Sequence, residues 1–272
     1  MKITVNEKTV TLQAGITAEA ARARFRPGAD LVILNGVPLR SARDQMLSEG
    51  DRLVLITRGA TPPAREFETM LAARHGAGVY AKLKKCAVGI AGAGGIGSHA
   101  AMSLARMGVG KLVLADYDVV EPSNLNRQSY CVSQLGMPKV SALAHNIEQA
   151  NPYVKVKTVR RRLDSGNTAR IFAGVDVFIE ALDLPEEKTR AVVAFAKVYP
   201  SVPVIMVSGI AGCGPAGEMK TTRAGKNLYI VGDLESGVCP GAGLMAARVL
   251  IAAGMQANLA ARLLLGLEKP LA

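Results

Sequence analysis

The chain has no tryptophan, and its aromatic complement is five phenylalanines and six tyrosines in 272 residues. No basic stretch is interleaved with aromatics, so the stacking platform that holds single-stranded nucleic acid is missing. The four cysteines, Cys86, Cys131, Cys213 and Cys239, form no C-x-x-C pair. Structural zinc usually needs closely spaced ligand pairs, so no zinc is expected. The three histidines, His75, His99 and His145, are scattered and suggest no His–carboxylate couple. Long apolar runs are also scarce. The most apolar stretch, 241–266, is interrupted by Arg248, Gln256, Asn258 and Arg262. A bilayer would carry each central arginine at a cost of ~2–3 kcal/mol, which favours a buried helix over a membrane span. The opening "MKITVNEKTV" has no apolar segment of the kind an export signal needs. With scattered single cysteines, this points to a reducing cytoplasm.

What is there is a globular composition, 49% hydrophobic, long enough for one large domain and one small one. Thirty-three Lys and Arg against twenty-two Asp and Glu give a formal charge of +11. That charge has two readings: a solvated basic surface, with "KLKK" (82–85) and "VRRRL" (159–163) as local clusters, or attraction to an acidic protein or nucleic acid.

A break falls near "TRGATPPARE", 57–66. Before it, alternating runs around Asn6-Glu7-Lys8 predict a β-hairpin. An Ala/Arg-rich helix follows from Thr17, a good N-cap, to Phe25. "LVILNGVPL" and "GDRLVLIT" complete a β-β-α-β-β order, a small sheet wrapped on one helix. After the break, strands expected near 86–91, 111–116, 154–160, 175–182 and 203–209 alternate with helices near 97–107, 138–150, 167–173 and 186–199. That alternation predicts an α/β fold, a mostly parallel sheet with helices on both faces. "MKTTRA" and "NLYIVGD" read as a closing antiparallel pair, and a long helix at about 243–265 packs at the end. The expected division is 1–58 for the small domain, 59–74 for a linker and lead-in helix, and 75–272 for the large domain.

"GAGGIGS" places Gly92, Gly94, Gly95 and Gly97 between an apolar strand and a helix. Glycines allow a tight turn and close backbone approach, and the helix start attracts phosphate oxygens. NAD, FAD and ATP would all suit this loop. Asp116, 22 positions after Gly94 at the next strand end, can accept ribose hydroxyls or hold its own turn. Asn124 and Arg127 follow, and Lys139 opens the next helix after Pro138. An arginine and a lysine beside a nucleotide site neutralise a polyphosphate, for which a dinucleotide dehydrogenase has little use. Asp183 reaches the same carboxyl edge. It either caps the helix beginning near Pro185 or holds Mg²⁺, which takes one or two carboxylates plus phosphate oxygens.

"GAGGIGS", "LADYDVVEPSNLNRQ", "GMPKV" and "EALD" together resemble the ThiF/MoeB/HesA group of ubiquitin-activating-enzyme-like adenylyltransferases, over roughly 75–265. "FETMLAARHGAGVYAKLKK" and "GKNLYIVGD" are most similar to the ThiF branch, which activates the thiamine-pathway sulfur carrier ThiS. The first 58 residues resemble ThiS itself, a ubiquitin-like β-grasp fold. The resemblance implies a Rossmann-like adenylyltransferase using ATP and Mg²⁺ to activate a separate ThiS-like carrier, and a homodimer. By it, Asp116 binds ribose, Asn124 and Arg127 hold phosphates, Lys139 reaches the α/β-phosphate region and Asp183 positions Mg²⁺. Arg74 is the nearest match to an upstream arginine that touches phosphates in the family. The small domain departs from the carrier pattern: it lacks a terminal Gly-Gly and runs on through "TRGATPPARE", so it is not expected to be the substrate. Cys239, and after it Cys213, is the thiol in question for a covalent intermediate, and neither has a neighbouring base in sequence. Rival readings are an adenylating enzyme acting on tRNA, as the threonylcarbamoyladenosine dehydratases do, a non-catalytic scaffold, and a nicotinamide oxidoreductase.

Overall fold

A computed structural model of the chain describes residues 1–76 and 78–267, in two units, Met1–Gly78 and Val79–Ala272. In the first, Lys2–Val5 (β1) and Lys8–Thr11 (β2) form the expected hairpin. Asn6 and Glu7 sit at positive φ, 45° and 66°, the left-handed pair that a two-residue type I′ turn requires. Thr17 caps Ala18–Phe25 (α1), accepting from the Ala20 N–H at 3.2 Å. Leu31–Leu34 (β3), Val37–Pro38 (β4) and Arg52–Ile56 (β5) complete a sheet of order β2-β1-β5-β3-β4, with β1 and β5 parallel. Ile3, Leu53 and Leu55 bury against Ala18 and Ala21 of the helix.

Ala64–His75 (α2) then follows and has no fully buried residue. Polar contacts tie it to the sheet. Asn6 Nδ2 donates to Glu66 Oε1 at 2.7 Å, Arg26 pairs with Glu66 at 3.2 Å, and Arg74 pairs with Glu7 at 3.1 Å.

The second unit runs Val79–Leu83 (α3), Ala87–Ala91 (β6), Gly95–Arg106 (α4), Lys111–Ala115 (β7), Lys139–Ala150 (α5), Lys155–Val159 (β8), Thr168–Ile171 (α6), Val177–Glu180 (β9), Pro185–Val198 (α7), Val204–Val207 (β10), Lys220–Arg223 (β11), Leu228–Gly232 (β12) and Ala246–Leu265 (α8). Seven strands form one sheet of order β11-β12-β10-β9-β6-β7-β8. All neighbours are parallel except β11 and β12. The closing hairpin is more than a separate pair. β12 lies parallel to β10, because Tyr229 and Val231 need the cover of the sheet core. Central β6 is buried at every position, as a strand covered on both faces must be.

One face of the sheet packs on α4, α5 and α8, whose small residues Ala100, Ala101, Ala252 and Ala253 allow close helix approach. The other is filled by Phe178, with Phe195 of α7 at 4.4 Å and Phe172 at 4.8 Å between ring centroids. Helix α8 is long and apolar enough to cross a membrane, but its inner side belongs to this core. Gln256 is wholly buried and donates to the Glu180 carbonyl at 3.1 Å.

Candidate functional site

The carboxyl ends of β6, β7 and β9 converge on the glycine loop. Gly92 has φ +95°, and a Cβ there would lie 2.4 Å from the Ala181 carbonyl oxygen. A Cβ on Gly97 would lie 1.9 Å from the Gly92 carbonyl. The loop therefore closes only with glycine at both positions. Gly94 is the N-cap of α4 and Gly95 its first residue, with no side chain capping the helix. Its first-turn amides are left for an anion.

Asp116 follows β7 and holds its own turn. Its carboxylate accepts from the Ala93 N–H at 2.7 Å and the Asp118 N–H at 2.8 Å, bracing the glycine loop and its own turn. It also lines a cavity of about 210 Å³ with Gly92, Gly94, Lys139 and Asp183. Burial pushes its pKa up, partly opposed by those amides and by Lys139. Lys139, the first residue of α5, is 5% exposed, and its Nζ lies 2.8 Å from Asp118 Oδ2. An ammonium has three donors, so two remain for other acceptors.

Arg127 lines a second cavity, of about 500 Å³, with Gly95, Asp183 and Lys188. Its Nη1 donates to the Ser123 carbonyl at 3.1 Å and Asn126 Oδ1 at 2.8 Å, leaving the rest of the fork available. Asp183 is common to both cavities. It is exposed, makes no side-chain hydrogen bond or ion pair among the described residues, and does not cap α7, whose N-cap is Leu184. Asn124 is buried behind this surface. Its Oδ1 accepts from the Glu121 N–H at 3.0 Å, and its carbonyl accepts the Arg127 N–H at 3.2 Å, so it shapes the turn that presents Arg127. Arg74 lies in the first unit, on Glu7.

Sequence reasoning missed several groups. Gln128 is 7% exposed, its Oε1 has no partner among the described residues, and its amide nitrogen lies 3.9 Å from where a Gly94 Cβ would sit. Its signal was adjacency to Arg127. Glu180 is fully buried at the end of β9, 3.3 Å from Lys188 Nζ, and accepts the Leu182 N–H at 2.6 Å. Burial raises its pKa against the pull of Lys188. The acidic residue ending an otherwise apolar strand was the available clue. Cys213 and Cys239 are exposed on neighbouring loops, where Gly212 bridges to Leu244 and Cys239 to Ala242. No group of three or more His, Cys, Asp or Glu among the described residues could hold a metal by itself.

A ubiquitin-like module followed by a doubly wound unit, with an uncapped helix start at a glycine loop and Lys139 and Arg161 in the adjoining cavity, defines an architecture suited to binding a nucleotide. The ThiF family profile matches residues 68–272, and that of the ThiS-like ubiquitin family matches residues 1–59. The chain belongs to the ThiF family. It is 43% identical over 103 residues to the SAMP-activating enzyme E1 of Haloferax volcanii, covering 38% of each chain. It is 38% identical over 110 residues to the molybdopterin-synthase adenylyltransferase of Haemophilus influenzae, covering 40% of this chain and 45% of that one. The matched stretch thus spans less than half of either relative. Among solved structures, E. coli tRNA N6-threonylcarbamoyladenosine dehydratase, TcdA, in complex with ATP superposes with a TM-score of 0.65 at 23% identity, over 72% of this chain and 92% of that one. E. coli MccB with ATP gives 0.56 at 22% identity, over 71% and 60%. These two show the shared fold.

Proposed function

We propose that this chain is an ATP-dependent adenylyltransferase that activates the C-terminal carboxylate of a separate ThiS-like sulfur-carrier protein. The observation that carries this reading is Asp183, an unpartnered carboxylate where two cavities meet, with Lys139 lining one and Arg127 the other. One cavity suits a nucleotide, with ribose on Asp116 and phosphates on the α4 amides. The other admits an extended chain end to the α-phosphorus. The ATP complexes of TcdA and MccB support the nucleotide, and the names of the matched relatives support the adenylyl transfer.

A carrier carboxylate oxygen attacks the α-phosphorus. The new C–O–P linkage forms as the bond to the β-phosphate bridging oxygen breaks, and pyrophosphate leaves. The nucleophile, with a pKa of about 3.5, is already ionised and needs no base. Catalysis is then positioning and charge stabilisation. Arg127 and the two spare donors of Lys139 offset repulsion between the anions. The exposed oxygens of Asp183 fit Mg²⁺, which when bound with phosphate oxygens and water would add positive charge at the triphosphate.

The fused module is not the substrate in this reading. A carrier needs a free C-terminal carboxylate on a thin tail, whereas here β5 continues into α2, which folds back onto its own sheet through Glu66 and Arg74. Carrier-dependent ATP–pyrophosphate exchange is the test. Asp183→Ala and Arg127→Ala should each lower it at least ~100-fold, about 2.7 kcal/mol. Near wild-type exchange in both overturns the assignment. A second reading, adenylation of tRNA, draws on the basic edge strand β8, where Lys155 and Lys157 are exposed, with exposed Arg160 just after it. Pyrophosphate release stimulated by tRNA but not by carrier would favour it.

A further inference from the structure

The nucleotide cavity has an end that the glycine loop, Asp116, Lys139 and Asp183 do not account for. Beyond Asp116 its lining continues through Tyr117, Arg161, Leu163, Leu184 and Glu187. With ribose on Asp116 and phosphates toward α4, that end receives the base. Leu163 and Leu184 come from the segments after β8 and β9 and give apolar surface for a flat ring. Glu187 is the carboxylate among them.

Its geometry is one-sided. Arg162 donates from both Nε, at 2.8 Å, and Nη2, at 2.5 Å, to the same oxygen, Glu187 Oε1. The guanidinium carbon also lies over the Tyr117 ring, 5.6 Å from its centroid. Oε2 has no partner among the described residues, although the Glu187 side chain is only 11% exposed. An ordinary surface ion pair would leave both groups wet. Here Arg162 is 63% exposed and the carboxylate it holds is covered. A first-turn glutamate also suits the helix dipole, but that role leaves unexplained why, in a residue that lines the cavity, one oxygen is fixed and the other unpartnered.

We propose that Glu187 selects adenine, its free Oε2 accepting the exocyclic amino group of the base while Arg162 fixes the carboxylate. This rests on the nucleotide reading above and adds the choice of base. A C6 amino group donates to the oxygen. A C6 carbonyl, as in guanine or hypoxanthine, would set acceptor against acceptor, and a site built for a donor rejects an analogue that lacks it.

The test compares binding of ATP, purine riboside triphosphate (no group at C6) and inosine triphosphate (a carbonyl at C6) to the full chain by calorimetry. The wild type should bind ATP on the order of 10-fold more tightly than the unsubstituted analogue, and inosine triphosphate more weakly still. In Glu187→Ala, the preference for ATP over the unsubstituted analogue should vanish. In Glu187→Gln, Arg162 holds the amide oxygen and turns the NH₂ toward the base. The ATP-to-inosine-triphosphate preference should then fall by ~10-fold or more. This near-isosteric variant carries the test should the alanine variant not fold. Discrimination unchanged in Glu187→Gln overturns the proposal. Equal wild-type affinity for ATP and the unsubstituted analogue overturns the base assignment while leaving the ATP reading standing. Failure of the wild type to bind any of the three overturns both.

Discussion

Each unit of the chain closes on a helix, and the two helices are held by opposite means. Helix α2, twelve residues long, has no fully buried residue, and charged or amide groups at Glu66 and Arg74 tie it to its sheet. Helix α8, twenty residues long, buries ten, among them Arg248 and Gln256. Those two polar groups are used as anchors. Arg248 donates to the Gly214 carbonyl at 2.6 Å and pairs with Asp233, which in turn accepts from the Glu235 and Ser236 N–H groups. Gln256 fixes the Glu180 carbonyl, three residues before Asp183. Val249 on the same helix would touch a Cβ at Gly95, at 2.9 Å. Burial thus makes α8 a scaffold for the loops around both cavities. Surface ion pairs contribute about 0–1 kcal/mol each, so these polar ties by themselves hold α2 weakly.

Breaking the α8 anchor should give the largest effect. Arg248 is 3% exposed, and removing one partner of a buried pair costs about 3–5 kcal/mol, here toward the lower end because the Glu235 and Ser236 amides stay on Asp233. Arg248→Ala should lower the stability of the larger unit by about 3 kcal/mol. All six tyrosines lie beyond residue 78, so the tyrosine signal in a denaturant titration reports that unit alone. A loss below ~1 kcal/mol would show that apolar burial suffices and the anchor is incidental.

The same anchor should titrate. Burial pushes the Asp233 pKa up, but the Ser236 side chain and backbone, the Glu235 amide and Arg248 outweigh it and hold the carboxyl down at about 2. A depressed folded-state pKa contributes stability that is complete above the ordinary carboxylate range and is lost as pH falls toward the folded value. The stability gap between wild type and Asp233→Asn should therefore be full at neutral pH and close between about pH 4 and pH 2. A gap that stays constant across that window would mean the aspartate acts by shape and not by charge.

The two helices also differ in how far sequence could foretell them. The apolar run of α8 and the alternation that precedes it were legible, because burial repeats with the period of the element. Gly92 and Gly97 were legible through spacing along one strand–turn–helix unit, and Asp116 through its place at the end of the next strand. What was hidden depends on which segments become neighbours. The hairpin β11–β12 reads as a closing pair, and only the fold sets β12 beside β10. "VRRRL" reads as surface charge until the end of β8 and the first turn of α7 bring Arg162 onto Glu187. Glu187 itself is indistinguishable in sequence from any acid complementing a helix dipole. Asp183 resembled a helix cap, and its freedom from that role is a matter of backbone geometry. Long-range partnership leaves no periodic trace.

The smallest effect is expected at α2, where the comparison can be made sharpest. Glu66 accepts from Asn6 and pairs with Arg26, with its side chain 21% exposed. Glu66→Ala removes both contacts, for a loss of under about 1 kcal/mol. Local release of the helix should then rise only ~2–5-fold, read as faster proteolytic cleavage in the proline-bearing stretch 57–63. At 1 M salt the Debye length shrinks to about 3 Å, and wild type should move toward the variant. The tyrosine-reported unfolding of the larger unit should stay where it was. Should Glu66→Ala instead expose that stretch more than ~20-fold, or salt leave it untouched, α2 is held by packing, and the contrast with α8 is one of degree. A helix held by such ties still keeps the chain after β5 folded onto its own module, and the proposed distinction from a free-tailed carrier rests on that fold.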